Sequence, residues 1–136
     1  MNDFLDRMVR VLNSHDPERF AALFAEDYRS SQPAHPGREF TGRPQVLENW
    51  TAVFEGVPDF SARLVSWTQD GDTVWSEWDW RGTHTDGKPF ALSGVIILVL
   101  REGLIAEGRL YVEAVDQQES SIHESVQELY QPGGSA

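Results

Sequence analysis

The sequence predicts one α+β domain, with helices from its N-terminal half laid over an antiparallel sheet formed by the second half. Three observations carry this. Apolar residues recur at helical spacing in three stretches before Pro58. Beyond Pro58 the apolar period falls to two, the mark of strands. The dipeptides Asp70-Gly71, Asp86-Gly87 and Glu102-Gly103 then divide that half into four strands, as Asp-Gly between apolar runs does in hairpins.

The first helix is read from Phe4, Leu5, Met8, Val11 and Leu12, which form one stripe. Asp16-Pro17-Glu18 then supplies an N-cap followed by proline at the first helical position. Phe20, Leu23 and Phe24 are expected on the face of that short second helix. Residues 28–44 are rich in Pro, Gly and Ser and predict an irregular segment opening with a short strand. Gly42-Arg43-Pro44 opens a third helix with Val46, Leu47, Trp50, Val53 and Phe54 on one face. The strands are expected at about 60–68, 73–85, 90–101 and 104–115. Ser121 with Glu124 fits a capping box before a last short helix carrying Ile122, Val126, Leu129 and Tyr130. A single domain over residues 1–130 is expected, with 131–136 as a flexible tail.

Composition narrows the function. The formal net charge of −11 opposes binding to a phosphate backbone or an anionic membrane, both of which need concentrated Lys and Arg. With no cysteine, thiolate metal sites, disulfides and cysteine nucleophiles are excluded. The four histidines stand in no metal-binding spacing, so no metal is expected. The N-terminus lacks the pattern of a signal peptide and no apolar run is long enough to span a bilayer, so a cytoplasmic location is expected.

Candidate site residues follow from register. If every hairpin has a two-residue loop, Trp75 faces Leu98 and then Glu107, while Glu77 faces Ile96 and then Arg109. Asp79 faces Gly94 and Tyr111, and Arg81 faces Leu92 and Glu113. Trp78 and Trp80 fall on the opposite, almost wholly apolar face, as does His84. An ordinary half-buried sheet with its charged face in water is one reading of this pattern. The other is a charged face covered by the three helices around a cavity, suggested by the apolar residues interleaved with the charges, with the apolar Trp78/Trp80 face as the dimer interface. On that reading Glu113 and Asp79 are the candidate proton carriers, and Arg109 and Tyr111 would stabilise oxyanion charge. Glu77, Arg81 and Trp75 would contact substrate, Trp50 and Tyr28 would close the pocket from the helical side, and His84 is a secondary candidate.

Phe40-Thr41-Gly42-Arg43, the run from Arg81 to Gly87, and Gly103-Leu104-Ile105-Ala106-Glu107 leading to Arg109–Glu113 resemble the NTF2-like (cystatin-like) superfamily, most closely the SnoaL-like polyketide cyclase group. The resemblance implies a conical half-barrel, with three N-terminal helices packed on a curled antiparallel sheet of four to five strands. It implies a pocket for a hydrophobic small molecule, a homodimer built on the sheet, and chemistry without metal or organic cofactor. Cyclases of this group place an acid–base aspartate late in the last strand, and Glu113 holds the similar position. The activity implied is a cyclase-, isomerase- or hydrolase-type acid–base reaction. The alternative is a non-catalytic binding module of the same fold.

Overall fold

The computed structural model describes residues 2–118 and 120–130. The expected tail at 131–136 lies outside these residues. Helix α1 (Asp3–Asn13) starts where the Asn2 side chain accepts from the Leu5 amide at 2.9 Å, and it buries Leu5, Met8, Val11 and Leu12. Helix α2 (Pro17–Ala21) carries the expected cap, with Asp16 accepting from the Glu18 and Arg19 amides. Helix α3 (Arg43–Gly56) follows Gly42, whose φ of 108° is a conformation that favours glycine.

Among the described residues the sheet has six strands rather than four or five, and it is mixed. β1 (Phe24–Ser31) and β2 (Phe40–Thr41) precede α3, and β3 (Ser61–Asp70), β4 (Thr73–Thr83), β5 (Pro89–Arg101) and β6 (Leu104–Ala114) follow it, in the order β2-β1-β6-β5-β4-β3. β1 lies parallel to β6. Phe24 therefore opens a strand instead of closing the face of α2. The chain leaves α2 after one turn because the edge of β6 holds it: the Ile105 amide donates to the Leu23 carbonyl at 2.9 Å. A short 3-10 turn at Pro36–Arg38 interrupts the segment between β1 and β2. Helix α4 (Ile122–Tyr130) is capped as expected, the Glu124 amide donating to Ser121 Oγ at 3.1 Å.

Register is where the expectation fails, and one loop and one strand irregularity explain it. His84 donates through its amide to the Lys88 carbonyl, leaving three loop residues, Thr85-Asp86-Gly87, with Gly87 at φ 87°. A three-residue loop ending in a left-handed glycine is the next most common hairpin after the two-residue form. The extra residue slips β5 by one against β4, so that Trp75 faces Ile97 and Asp79 faces Ser93. The turn at Glu102-Gly103 has both φ values positive and two loop residues as expected, but an irregularity between Val99 and Leu100 shifts the β5–β6 pairing, and Ile97 faces Arg109.

A slip of one residue exchanges the faces of a strand. The two slips add to a displacement of two residues between β4 and β6, which restores the face, so Trp75 now lies in line with Arg109 and Glu77 with Tyr111 and the charged residues still share one side. In β5, however, Leu92, Ile96 and Leu98 turn to the side of Trp78 and Trp80. These β5 residues, thought to interleave with the charges, are therefore on the other face, while Trp75 stays with the charges. That other face is the core. Trp78 is 1% exposed and belongs with Trp80, Ile96 and Leu98 to one cluster with Leu5, Leu12, Phe20 and Phe54 of the helical layer. Two expectations are corrected by this: the Trp78/Trp80 face is covered by the helices of its own chain and is no dimer contact, and the charged face is the outer one.

Gly82 marks the closed end of the layer, where an added Cβ would lie 2.3 Å from Val57 Cγ1. There the Asp59 carboxylate accepts from the Thr83 amide at 2.6 Å, which lowers its pKa and ties the end of β4 to the chain leaving α3.

Candidate functional site

Between the helices and the Trp80 face of the sheet lies a cavity of about 190 Å³. Its wall is largely aromatic: Phe20 and Trp50 from the helices, Phe24, Tyr28 and Phe40 from β1 and β2, and Trp80 from β4. These rings hold one another edge to face, Phe24 against Tyr28 at 4.7 Å and Trp50 against Trp80 at 5.3 Å between centroids. Polar groups are few: Ser30, Gln32, Asn49, the Tyr28 phenol and the indole N–H groups. None of the described residues lining this inner space is a carboxylate, a histidine or a cation.

Burial raises the Tyr28 pKa above its ordinary 10.0, opposed by a hydrogen bond with Ser30, so the phenol is neutral at physiological pH. Tyr28 reaches this position because Gly108 leaves room for it. A Cβ at Gly108 would lie 2.3 Å from the phenol oxygen.

The cavity continues into an open mouth lined by Gln32, Arg38, Trp80, Leu92, Leu110 and Glu113, among others, of about 330 Å³. Here the structure pairs two residues that the sequence does not connect. His35 Nε2 and Glu113 Oε1 are 2.9 Å apart, the imidazole coming from the segment after β1 and the carboxylate from the end of β6. Nothing in the local sequence marks His35, which stands in a Pro- and Gly-rich stretch.

The other candidate residues are not brought to the cavity. Asp79 lies on the outer face and accepts from Arg81 Nε at 2.9 Å and Arg63 Nη2 at 3.4 Å. Glu77 and Trp75 line a shallow outer depression with Val95. Arg109 lines another with Arg29, Ser31 and Glu107. Tyr111 stands on the same face, 45% exposed. His84, in the β4–β5 loop, packs edge-on to Phe90 at 5.5 Å. Of the ten, Tyr28 and Trp50 line the inner cavity and Glu113 its mouth. Trp80, Ser30 and Asn49 are cavity residues outside the expected set. Trp80 lies on the apolar face as expected, but the helices cover that face and not the charged one, and the other two carry no periodic signal. Among the described residues no group of His, Asp and Glu is arranged to hold a metal ion, and no helix is long and apolar enough to cross a membrane.

Comparison with known proteins places this architecture. A protein of ketosteroid isomerase-like fold from Catenulispora acidiphila, solved with trimethylamine, shares 18% identity at a TM-score of 0.70 over 92% of this chain and 93% of its own. A candidate ketosteroid isomerase from Kribbella flavida is 24% identical, with a TM-score of 0.65 over 87% of this chain and 79% of that one. A candidate polyketide cyclase from Sinorhizobium meliloti is 19% identical, with a TM-score of 0.63 over 83% and 95%. At these identities the likeness shows the NTF2-like fold alone. No curated protein matches the chain. The SnoaL-like domain family matches residues 5–108, most of the helical layer and the sheet, and the chain belongs to that family.

Proposed function

We propose that this protein binds a small, largely apolar molecule in the cavity between its helices and its sheet. The observation that carries this reading is the aromatic wall around about 190 Å³ of space, with no charged side chain among the described residues that line it. Such a lining rewards burial of apolar surface and penalises an ionised ligand that finds no counter-charge. The volume is below the ~300–1,000 Å³ of drug-sized sites, so the buried part of the ligand is on the scale of one or two rings. A larger molecule would extend into the mouth beside Leu92 and Leu110.

Titration of the ¹⁵N-labelled protein with toluene tests this reading. Saturable shifts are expected at Tyr28, Trp50 and Leu98, with none on the outer strand positions Glu77 and Tyr111. Uniform, non-saturating shifts would sink it.

A second reading, acid–base catalysis on the bound molecule, is favoured by the His35–Glu113 pair at 2.9 Å. A carboxylate hydrogen-bonded to an imidazole at the mouth can take a proton from carbon next to a carbonyl and pass it on to the ring or to water. It places Glu113 as the base and leaves Asp79, Arg109 and Tyr111, which face outward, without contact to the bound molecule. The same titration in D₂O with cyclohexanone separates the two readings. Exchange of the α-hydrogens for deuterium, lost in Glu113→Gln, indicates proton transfer, and recovery of unlabelled cyclohexanone indicates binding alone.

A further inference from the structure

β3 is an end strand of the sheet and has ten residues, whereas β2 at the other end has two. A long free edge presents N–H and C=O groups that template pairing with a further strand, and folded proteins cover or interrupt such edges. Here helix α1 is tied to β3 at both of its ends. Asn2 Nδ2, just before the first turn, donates to Gln69 Oε1 at 2.6 Å. At the other end the carboxamide of Asn13 makes two bonds to one residue. Asn13 Nδ2 donates to the Ala62 carbonyl at 3.0 Å, and the Ala62 amide donates to Asn13 Oδ1 at 2.7 Å. A carboxamide offers a donor and an acceptor together, as the backbone of a neighbouring strand does. Asn13 thus takes the place of the next strand at Ala62.

His15 extends this cover by two residues. Ser14 closes α1, and His15 follows it with φ 59°. Helices often end on a residue in this left-handed conformation, and it is usually glycine, which adopts it freely. A histidine here bears a backbone cost that glycine would avoid. What it gains is a bond to the edge: Nε2 lies 2.6 Å from the Phe60 carbonyl oxygen and, since a carbonyl only accepts, carries the proton. The ring is stacked on Phe54 at 5.5 Å and meets Phe60 edge-on at 6.4 Å, which fixes its direction. Further along, the β3–β4 pairing is irregular between Leu64 and Ser66, a second feature of the kind that disturbs edge pairing.

We infer that Asn13 and His15 form a strand-edge cap, an autoinhibitory contact that occupies the backbone groups through which β3 would pair with β3 of a second copy. Removing the cap turns this edge into a self-association surface. A second copy is the fitting occupant because strand pairing is made by backbone groups that every chain presents alike. Two antiparallel β3 edges are also related by a two-fold axis, as a self-complementary contact requires. The edge is separate from the charged outer face, and the inference does not depend on what the cavity binds.

The test uses Asn13→Ala and the double variant Asn13→Ala/His15→Gly, in which the glycine removes the ring and suits the φ of 59°. At low protein concentration, amide hydrogen exchange at Ala62 should be about tenfold faster in Asn13→Ala than in the wild type, the scale of one lost hydrogen bond. The amides of Val74 and Ile96, buried residues of β4 and β5, should exchange as in the wild type. The double variant should show a light-scattering mass above that of the wild type at the same concentration, rising as protein is added, with the Ala62 amide protected again in the associated form. Unchanged exchange at Ala62 in Asn13→Ala overturns the cap. So does equal acceleration at Val74 and Ile96, because the loss would then be one of global stability. A double variant that keeps the wild-type mass at the highest concentration reached overturns the self-association, as does one that associates while Ala62 stays unprotected, since the contact would then lie elsewhere.

Discussion

Gly108 and Tyr28 meet across the parallel pairing of β1 and β6, and the contact depends on the absence of a methyl group. A Cβ at position 108 would lie 2.3 Å from the phenol oxygen and 3.2 Å from the carbon bearing it. Gly108→Ala must therefore displace Tyr28, whose ring packs on Phe24 at 4.7 Å and walls the cavity. Overpacking of this kind costs about 1–3 kcal/mol. The predicted outcome is a lower urea midpoint for Gly108→Ala, of which at least half is restored in Tyr28→Phe/Gly108→Ala, because the nearest clashing atom is the phenol oxygen. Strictly additive losses in the double variant would show that the two residues are not coupled in this way. The sequence discloses little at this scale. Tyr28 is recognisable as a pocket candidate from its type and place, but the glycine that admits it stands eighty residues later and is silent until β1 is known to lie beside β6.

Elements were more legible than their pairing. The stripes of α1 and α3, the cap of α2 and the four long strands follow from periodicity and turn chemistry, because those signals are local. β1 was not legible as a long strand, since its partner is the edge of β6 and the signal is not local. The inner and outer faces were exchanged on β5 by a single loop residue: Asp86-Gly87 is compatible with either a two- or a three-residue loop, and the sequence does not choose between them. Helix α4 presents a different case. Its cap and stripe are local and were readable, yet Ile122 is 80% and Leu129 72% exposed, so the stripe buries almost nothing. Apolar area that stays in water contributes no hydrophobic stability. A chain ending at Ser121 should melt within about 1 °C of the full chain. A drop of several degrees in a calorimetric scan would mean that α4 packs onto the domain in solution, and the helix would then have to be counted among the elements that hold the fold.

On the scale of the whole molecule, the inversion of the faces moves the expected dimer contact without removing the reason for one. Trp75 is 46% and Tyr111 45% exposed in mid-sheet, with Val95 half-buried between their strands. Apolar groups gathered on a broad, regular surface mark an interaction site more often than scattered ones do. The charges around them come in both signs, Arg63, Arg81 and Arg109 with Glu77, Asp79 and Glu107. A two-fold axis through this face would set each sign against the other in the second copy, as a self-complementary contact requires. The opposing term is the net charge of −11 on each chain, which repels a like partner at long range. Salt separates the two effects: screening removes the long-range repulsion and leaves the apolar contact intact. The prediction is a light-scattering mass of twice 15.4 kDa that persists or strengthens as salt is raised. Trp75→Arg and Tyr111→Arg together should return the mass to 15.4 kDa while leaving the toluene titration unchanged, because neither residue lines the cavity. A single-chain mass for the wild type at 100 µM protein would instead leave the outer face open to water, and the charged face would then be the solvated side of a half-buried sheet and nothing more.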